Sequence, residues 1–507
     1  MKQILQILGM ISMVLVSFLP ASSYDFEVDN KYYNVISLDD MTCELTCMKE
    51  NNNESNVYKG DIVVPSEVSY NGKTFSVIRI GSYAFRNSSE ALTITLPNSI
   101  NTIGYRAFED CTKLKNINLP DGITDIGSSA FDSCEALESI SIPKGLKEIP
   151  GDMLYRCASL REIIIPSNIT RIGAEAFNRS GIERVIIEDS ESAIELQRSF
   201  IQRFENNECF HHSGSFSGMP LKFLYLGRNF SINNNENNVR YSPFLGLDTL
   251  EEIIIGGFVT RLPANTFVKV TGYIVGNTST GKLPVIYYIG PDNLKKITIL
   301  EGKDDLVFVN GIWGDRYREY YDSRILDYIN VKEAVFERNV YASSKIEYPD
   351  FLKNVEKVYL INKFSNIGKQ FFKGSKLKYL KLGPNIETIG QDAFSGADDL
   401  LQICLQSINP PTFDGDPLFG NKQYMNAELF VPDSSIDLYK QFDYWKKFWN
   451  IKPISEYSAI SEIMHDADAS LNIVNRYDLN GRVVSDNYKG IVIVLFSDGT
   501  TKKIIQN

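Results

Sequence analysis

Ile103-Gly104-Tyr105-Arg106-Ala107-Phe108-Glu109-Asp110-Cys111-Thr112-Lys113-Leu114 is one copy of the pattern that decides how this chain folds. Its core, Ile-Gly-x-x-Ala-Phe, recurs at 23-residue intervals as Ile80-Gly81, Ile126-Gly127 and Ile172-Gly173, and a diverged copy, Ile149-Pro150 with Met153-Leu154, keeps the register. Pro97, Pro120, Pro143 and Pro166 close short apolar runs in the same phase, and Cys111, Cys134 and Cys157 form a third series. Three coincident periods of this length define a solenoid, in which a unit too small to bury its own apolar face stacks on its neighbours.

A second anchor, Leu-x-x-Ile-x-Leu, puts three apolar positions on one side of a strand and turns the intervening residues outward. It starts at Ala91, Leu114, Leu137, Leu160, Ile182, Leu221, Leu250, Leu294, Leu326, Val355, Leu377 and Leu400, which gives twelve coils, regular at both ends and interrupted in the middle. Each unit is expected to hold a strand such as Leu114 to Leu119, a Pro or Gly turn, and a second extended run such as Ile123 to Ile126. A turn of helix is expected around Ala130-Phe131, with the Phe as an inward wedge. The insertions run from Glu188 to Pro220, with a helix-like part Ser192 to Phe204, from Val270 to Leu283, and from Lys303 to Arg324 with Trp313, Tyr317, Tyr320 and Tyr321. Such loops serve recognition or are neutral drift in a tolerant scaffold, and both readings stand at this point.

The flanks differ from the repeat. Residues 1–23 carry Lys2, an apolar run from Ile4 to Leu19 and then Pro20-Ala21-Ser22-Ser23, the layout of a secretory signal peptide rather than a membrane span. Residues 24–79 read as an N-terminal β-rich cap, 80–187 as regular repeats, 188–354 as irregular repeats with insertions, and 355–456 as regular repeats and C-terminal cap. In that last cap a helix is expected from Ser434 or Ser435 through Leu438, Tyr439, Phe442, Trp445 and Phe448. Residues 457–507 read as a linker and a small β-rich tail, with Asn472 to Tyr477 and Gly490 to Phe496 as strands and turns at Asn480-Gly481 and Asp498-Gly499.

Composition is globular, and a net charge of −11 disfavours nucleic acid as a general partner. The chain holds seven Cys, and the three in the periodic series read as small buried side chains, with coil-to-coil bridging as the alternative. Catalytic or metal chemistry finds little support. Of three His, His211 and His212 are adjacent, near Glu208 and Cys209, without ligand spacing, and His465 stands in the linker. Asp414-Gly415-Asp416 reads as a turn rather than a calcium loop. No catalytic residue, metal site or cofactor is assigned.

Ile103 to Leu114 and its copies resemble the BspA-like leucine-rich repeat family of bacterial surface proteins. Phe26 to Val77, with Tyr58-Lys59-Gly60 and Asn71-Gly72-Lys73-Thr74-Phe75, is similar to that family's opening segment, and Asn409-Pro410-Pro411 through Trp445 and Phe448 to its closing one. The expected fold is an α/β leucine-rich repeat solenoid, a strand-rich right-handed superhelix with N- and C-terminal caps and a small C-terminal β-module. The resemblance implies an exported, non-enzymatic protein of the adhesin type, at the cell surface or extracellular. Arg476-Tyr477-Asp478-Leu479-Asn480-Gly481-Arg482, with Lys489-Gly490 and Asp498-Gly499-Thr500, is similar to the C-terminal sorting modules of type IX secretion in Bacteroidetes.

Binding is therefore sought on the outward strand positions. These are small or polar early, as at Thr93, Thr95, Asn116, Asn118, Ser139 and Ser141, and bulky later, as at Ile164 and Ile186. Phe223, Tyr225, Ile254, Tyr328, Tyr359 and Tyr379 are the candidate ligand contacts, because aromatic groups on a rigid sheet offer contact area at low entropic cost. The expected partner is an extracellular protein or glycan, with no transmembrane span in the mature chain. The alternative is a carbohydrate-processing accessory or enzyme with a cleft in the irregular centre, which would need two convergent carboxylates.

Overall fold

A computed structural model describes residues 24–47, 58–197, 214–232, 244, 249–263, 269–274, 285–289, 294–309, 331–342, 350–417, 419–457, 473–478, 490–496 and 501–506. The signal-peptide stretch lies outside the described residues. The chain is strand-rich, with mostly parallel sheets and few, short helices. Two compact units form, Met1–Leu146 with Asp152–Ser159, and Lys147–Gly151 with Leu160–Asn507.

In the first unit, Phe26–Val28, Lys31–Ser37 and Thr42–Thr46 make an antiparallel ladder. The third of these then pairs in parallel with Lys73–Ile80, which leads into the repeat. Phe26 packs against Tyr33, Tyr70 and Phe75 with ring centroids 5.3, 4.8 and 5.5 Å apart, giving this opening segment its own small core. Tyr58 sits on Phe85, and Phe85, Phe108 and Phe131 follow as parallel rings at 5.1 and 5.0 Å, one per coil. Over these coils the repeated Phe is thus a stack, which Leu154 ends in the next one.

The expected turn of helix around Ala130-Phe131 is not formed. Ser129 and Ser133 have φ of 56° and 59°, and the same two places are left-handed in each regular coil, at Arg106 and Asp110 and at Asp152 and Arg156. A left-handed residue cannot continue an α-helix, and the backbone here bonds sideways instead: Phe108 N–H donates to Ala130 O at 2.8 Å and Phe131 N–H to Met153 O at 3.0 Å. Between-coil bonding wins because the within-helix partner would leave the neighbouring coil unpaired.

The repeated Gly is explained by the same closeness. A Cβ on Gly127 would stand 2.4 Å from Tyr105 N, and one on Gly104 2.4 Å from Ser82 N. The Cys series also serves the stack: the thiols of Cys111, Cys134 and Cys157 donate to the carbonyls of Phe85, Phe108 and Phe131 at 3.1, 3.2 and 3.3 Å. All three are buried and free of disulfides, and burial pushes the Cys134 and Cys157 thiols up, so they stay protonated donors.

The second unit is built on one parallel sheet of eleven strands: Glu162–Ile165, Arg184–Ile187, Phe223–Arg228, Glu252–Phe258, Lys296–Ile299, Glu333–Phe336, Lys357–Leu360, Tyr379–Leu382, Gln402–Leu405, Glu428–Val431 and Asn450–Pro453. The second and fourth residues of each strand point to the core, as with Ile163 and Ile165 or Val358 and Leu360. Glu333–Phe336 pairs directly with Lys296–Ile299, so the coil expected at Leu326 starts instead at the buried Val331. Leu326 to Val331 and Val331 to Phe336 fit the same pattern, and only pairing tells them apart. Insertions leave between strands without interrupting the sheet, so any central cleft would have to be made by the insertions themselves.

Two buried arginines hold this irregular part. Arg228 and Arg338 are each 1% exposed. Arg228 donates to the carbonyls of Pro166, Ser167 and Ile169 at 2.8–2.9 Å, and Arg338 to those of Gly256, Gly257, Val259 and Asp304 at 2.7–3.0 Å. Each is followed by an Asn that reaches forward: Asn229 Oδ1 accepts from the amides of Thr260 and Arg261, and Asn339 Oδ1 from those of Ser365 and Asn366. An Arg-Asn pair thus ties one coil to the coils before and after it. Burial lowers the pKa of both guanidinium groups, that of Arg228 to about 10, still far above neutrality.

At the C-terminal end of this unit the expected helix is broken into Ile436–Tyr439 and a short 3-10 turn, Trp445–Lys447, because Tyr444 is left-handed at φ 62°. The break lets the buried Trp445 Nε1 donate to Pro411 O at 3.0 Å while Tyr439 Oη donates to Ser407 O at 2.8 Å. The tail strands Ile473–Asp478, Gly490–Phe496 and Thr501–Gln506 form a three-stranded antiparallel sheet.

Two stability outcomes follow from these contacts. Gly127→Ala should lower stability by about 1–3 kcal/mol through overpacking, whereas Gly122→Ala, whose Cβ would meet nothing nearer than 4.0 Å, should be tolerated; equal urea midpoints for the two variants would contradict the close-approach explanation. Arg338→Met strips four carbonyls of a charged donor and should cost about 3 kcal/mol or more, read as a fall in urea midpoint; a loss under about 1 kcal/mol would show that the arginine is not a staple.

Candidate ligand-binding face

The first and third residues of each strand in the eleven-stranded sheet face away from the core, because side chains alternate along a strand. Parallel pairing in register lines them up as two rows running across the coils. Their early and late parts differ.

In the early part the apolar residues are covered. Phe223, Tyr225 and Ile254 are 7%, 6% and 7% exposed, and with Ile186 they form a cluster against which Ile164 and Leu300 pack. Arg184, ion-paired to Glu162 at 2.9 Å, lies over the Phe223 ring at 3.7 Å. Tyr225 Oη donates to Asp189 Oδ1 at 2.7 Å. Asp189 stands two residues past the strand Arg184–Ile187, and its backbone and side chain press on Gly227 and Gly256, so the start of the first insertion folds back over the sheet. Burial, reinforced by the Asp189 charge, keeps the Tyr225 phenol protonated. These three predicted contacts therefore belong to a second small core, and the sequence did not reveal it because nothing in the strand pattern tells where an insertion will return.

In the late part the face is partly exposed at Lys357, Tyr359, Tyr379 and Lys381, and the outward Cys404 and Phe430 beyond them are buried. Tyr359 and Tyr379 are half-buried on adjacent internal strands. Register sets Lys357 opposite Tyr379 and Tyr359 opposite Lys381, so the four side chains form a two-by-two alternation of Lys and Tyr. Lys357 Nζ lies 6.0 Å from the Tyr379 ring centroid. Burial, with the Glu333 charge, pushes the Tyr359 phenol up to about 12, so it is a neutral donor at physiological pH. The neighbouring acids are engaged elsewhere: Glu333 with Lys296 at 3.1 Å, and Glu428 with Lys452 and with Gln402 at 2.9 Å. Tyr457 packs at a tilt against Phe430, ring centroids 4.8 Å apart, and closes the far end of the row.

The pattern of aromatics disclosed Tyr359 and Tyr379 but passed over Lys357 and Lys381. The signal for them was present: from Lys353 to Leu382 the chain has eight lysines and one acidic residue, Glu356. Tyr328 lies outside the described residues, and its expected row position is taken by Glu333. Glu208, Cys209, His211, His212, His465 and the aromatics from Trp313 to Tyr321 are also outside them. Among the described residues no group of three or more His, Cys, Asp or Glu is placed to hold a metal ion, and no helix is long and apolar enough to cross a membrane.

A parallel sheet built one strand per coil, with stacked Phe-bearing turns behind it, defines a leucine-rich repeat protein. More narrowly, residues 78–205 and 326–416 match the BspA type leucine rich repeat region in six copies, and the chain carries repeats of that family. Among solved structures it is similar to a leucine rich cell surface protein from Faecalibacterium prausnitzii A2-165, at 17% identity over 86% of this chain and 96% of that one, with a TM-score of 0.34. It is also similar to a leucine-rich repeat protein from Bacteroides ovatus ATCC 8483, at 15% identity over 85% and 100%, with a TM-score of 0.29. No curated protein matches the sequence.

The two parts of the face should respond differently to truncation. Tyr225→Ala should cost about 3 kcal/mol or more, and Tyr379→Ala under about 1 kcal/mol, measured by urea denaturation; the reverse order would return Tyr225 to the open surface.

Proposed function

We propose that this chain is an exported cell-surface repeat protein that binds an extracellular protein or glycan through the open part of the sheet face, with Tyr359 and Tyr379 as anchors and without catalysis. One observation carries the reading: two half-buried tyrosines stand on adjacent strands inside an eleven-stranded sheet. Their backbone is fixed by pairing on both sides, so binding costs little further ordering of the chain. Phe223, Tyr225 and Ile254 act in this reading as the support that anchors the insertion beside the face. The signal-like stretch 1–23 and the tail that resembles a sorting module support export.

The mature chain, displayed to an array of matrix proteins and glycans, should retain at least one ligand. The Tyr359→Ala/Tyr379→Ala variant should bind that ligand at least tenfold more weakly with an unchanged melting temperature. Undiminished binding would remove the face from consideration, and a wild-type chain that retains nothing would remove the binding role.

A further inference from the structure

From the alternation of Lys357, Tyr379, Tyr359 and Lys381 we infer that the open face binds an acidic polysaccharide, a chain of uronic-acid or sulfated sugars laid across the strands; this rests on the binding role proposed above.

The charge distribution is the first reason. The chain as a whole carries −11, yet the segment from Lys353 to Leu382 holds eight lysines and one acidic residue. That acid, Glu356, is already held by Lys378 at 2.8 Å and Lys332 at 3.3 Å. Among the described residues neither Lys357 nor Lys381 has a carboxylate within ion-pair distance, whereas other lysines on the sheet are matched coil to coil, as Lys296 is with Glu333 and Lys452 with Glu428. Unmatched cations on an otherwise acidic protein make a local positive field that concentrates anions.

Geometry separates a glycan from other anions. Successive strands are about 4.8 Å apart, close to the length of one sugar ring in an extended polysaccharide. A chain running along a row therefore meets one side chain per ring, Lys357 then Tyr379, or Tyr359 then Lys381. Tyrosine rings stack on the apolar faces of sugars while lysines take the carboxylate or sulfate groups. An acidic peptide would lack its usual advantage here. Both strands are internal, with their backbone N–H and C=O groups used on each side, so no edge is open for strand addition.

The test measures binding of the full mature chain to heparin, hyaluronan and polygalacturonate, with dextran as a neutral glycan, single-stranded DNA, and vesicles of anionic lipid. At least one acidic glycan should bind, with affinity falling as salt rises, while dextran, DNA and vesicles bind at least tenfold more weakly. The Lys357→Glu/Lys381→Glu variant should lose at least tenfold, and the Tyr359→Ala/Tyr379→Ala variant likewise. Lys422→Glu/Lys440→Glu, the same charge change at two exposed lysines off the sheet, should lose less than twofold. Circular dichroism and melting confirm that each variant folds. Should the charge-reversal variant fail to fold, Lys357→Gln/Lys381→Gln serves in its place.

Equal binding of DNA or vesicles, or equal losses from the off-sheet control, would overturn the inference in favour of unspecific attraction to polyanions. Binding of a neutral glycan or a matrix protein that depends on the tyrosines but not the lysines would overturn it and leave the binding role standing. Acidic-glycan binding indifferent to both face variants would overturn both.

Discussion

Each coil of this protein is one residue layer thick, so it has no interior until the next coil arrives. Every backbone amide on its flank and every apolar face must find its partner about one strand spacing away. The recurring residues are answers to that constraint. Gly104 and Gly127 admit the neighbouring backbone, Phe85, Phe108 and Phe131 fill the axis by stacking, and the Cys thiols give a second, between-coil donor to carbonyls that already accept a turn amide. The left-handed pairs such as Ser129 and Ser133 follow too. They turn the chain tightly enough that its amides point to the adjacent coil rather than along a helix.

Where the period fails, the constraint remains and different chemistry meets it. Across the first insertion a turn amide still finds its carbonyl, Phe177 N–H to Ser215 O at 3.1 Å, and Arg228 and Arg338 supply further donors between coils. A planar guanidinium can address several carbonyls at once, which a lysine or a hydroxyl cannot. Among the described residues neither buried arginine is ion-paired to a carboxylate, so desolvation opposes them, and their worth lies in the several carbonyls that each one gathers from another coil.

The periodic part of the fold was legible because repetition multiplies a weak local signal: one Ile-Gly-x-x-Ala-Phe is ambiguous, but copies in register with Pro and Cys are not. Local propensity misled where between-coil bonding overrides it, at Ala130-Phe131 and again at Tyr444, whose left-handed backbone breaks an otherwise amphipathic stripe. Pattern alone also could not choose between Leu326 and Val331 as a coil start, since pairing partners decide it. The candidate site was half legible. Tyr359 and Tyr379 follow from strand alternation, whereas the covering of Phe223, Tyr225 and Ile254 depends on where Asp189 returns, a tertiary fact with no periodic trace.

Outward positions on the sheet have no duty in stacking, and that freedom explains why specificity would be written there. Several of them are spent on cross-coil ion pairs such as Glu162 with Arg184 and Lys296 with Glu333. At the surface such pairs add little stability, but a slip of one residue would set like charges side by side. A place where the matching lapses, as it does at Lys357 and Lys381, gives up that protection of register. The coils there can bear the loss because Val358, Leu360, Leu380 and Leu382 are buried on the other face and already fix the register. A charge left unmatched where folding does not need it is the kind of residue that an external ligand, rather than the fold, would account for.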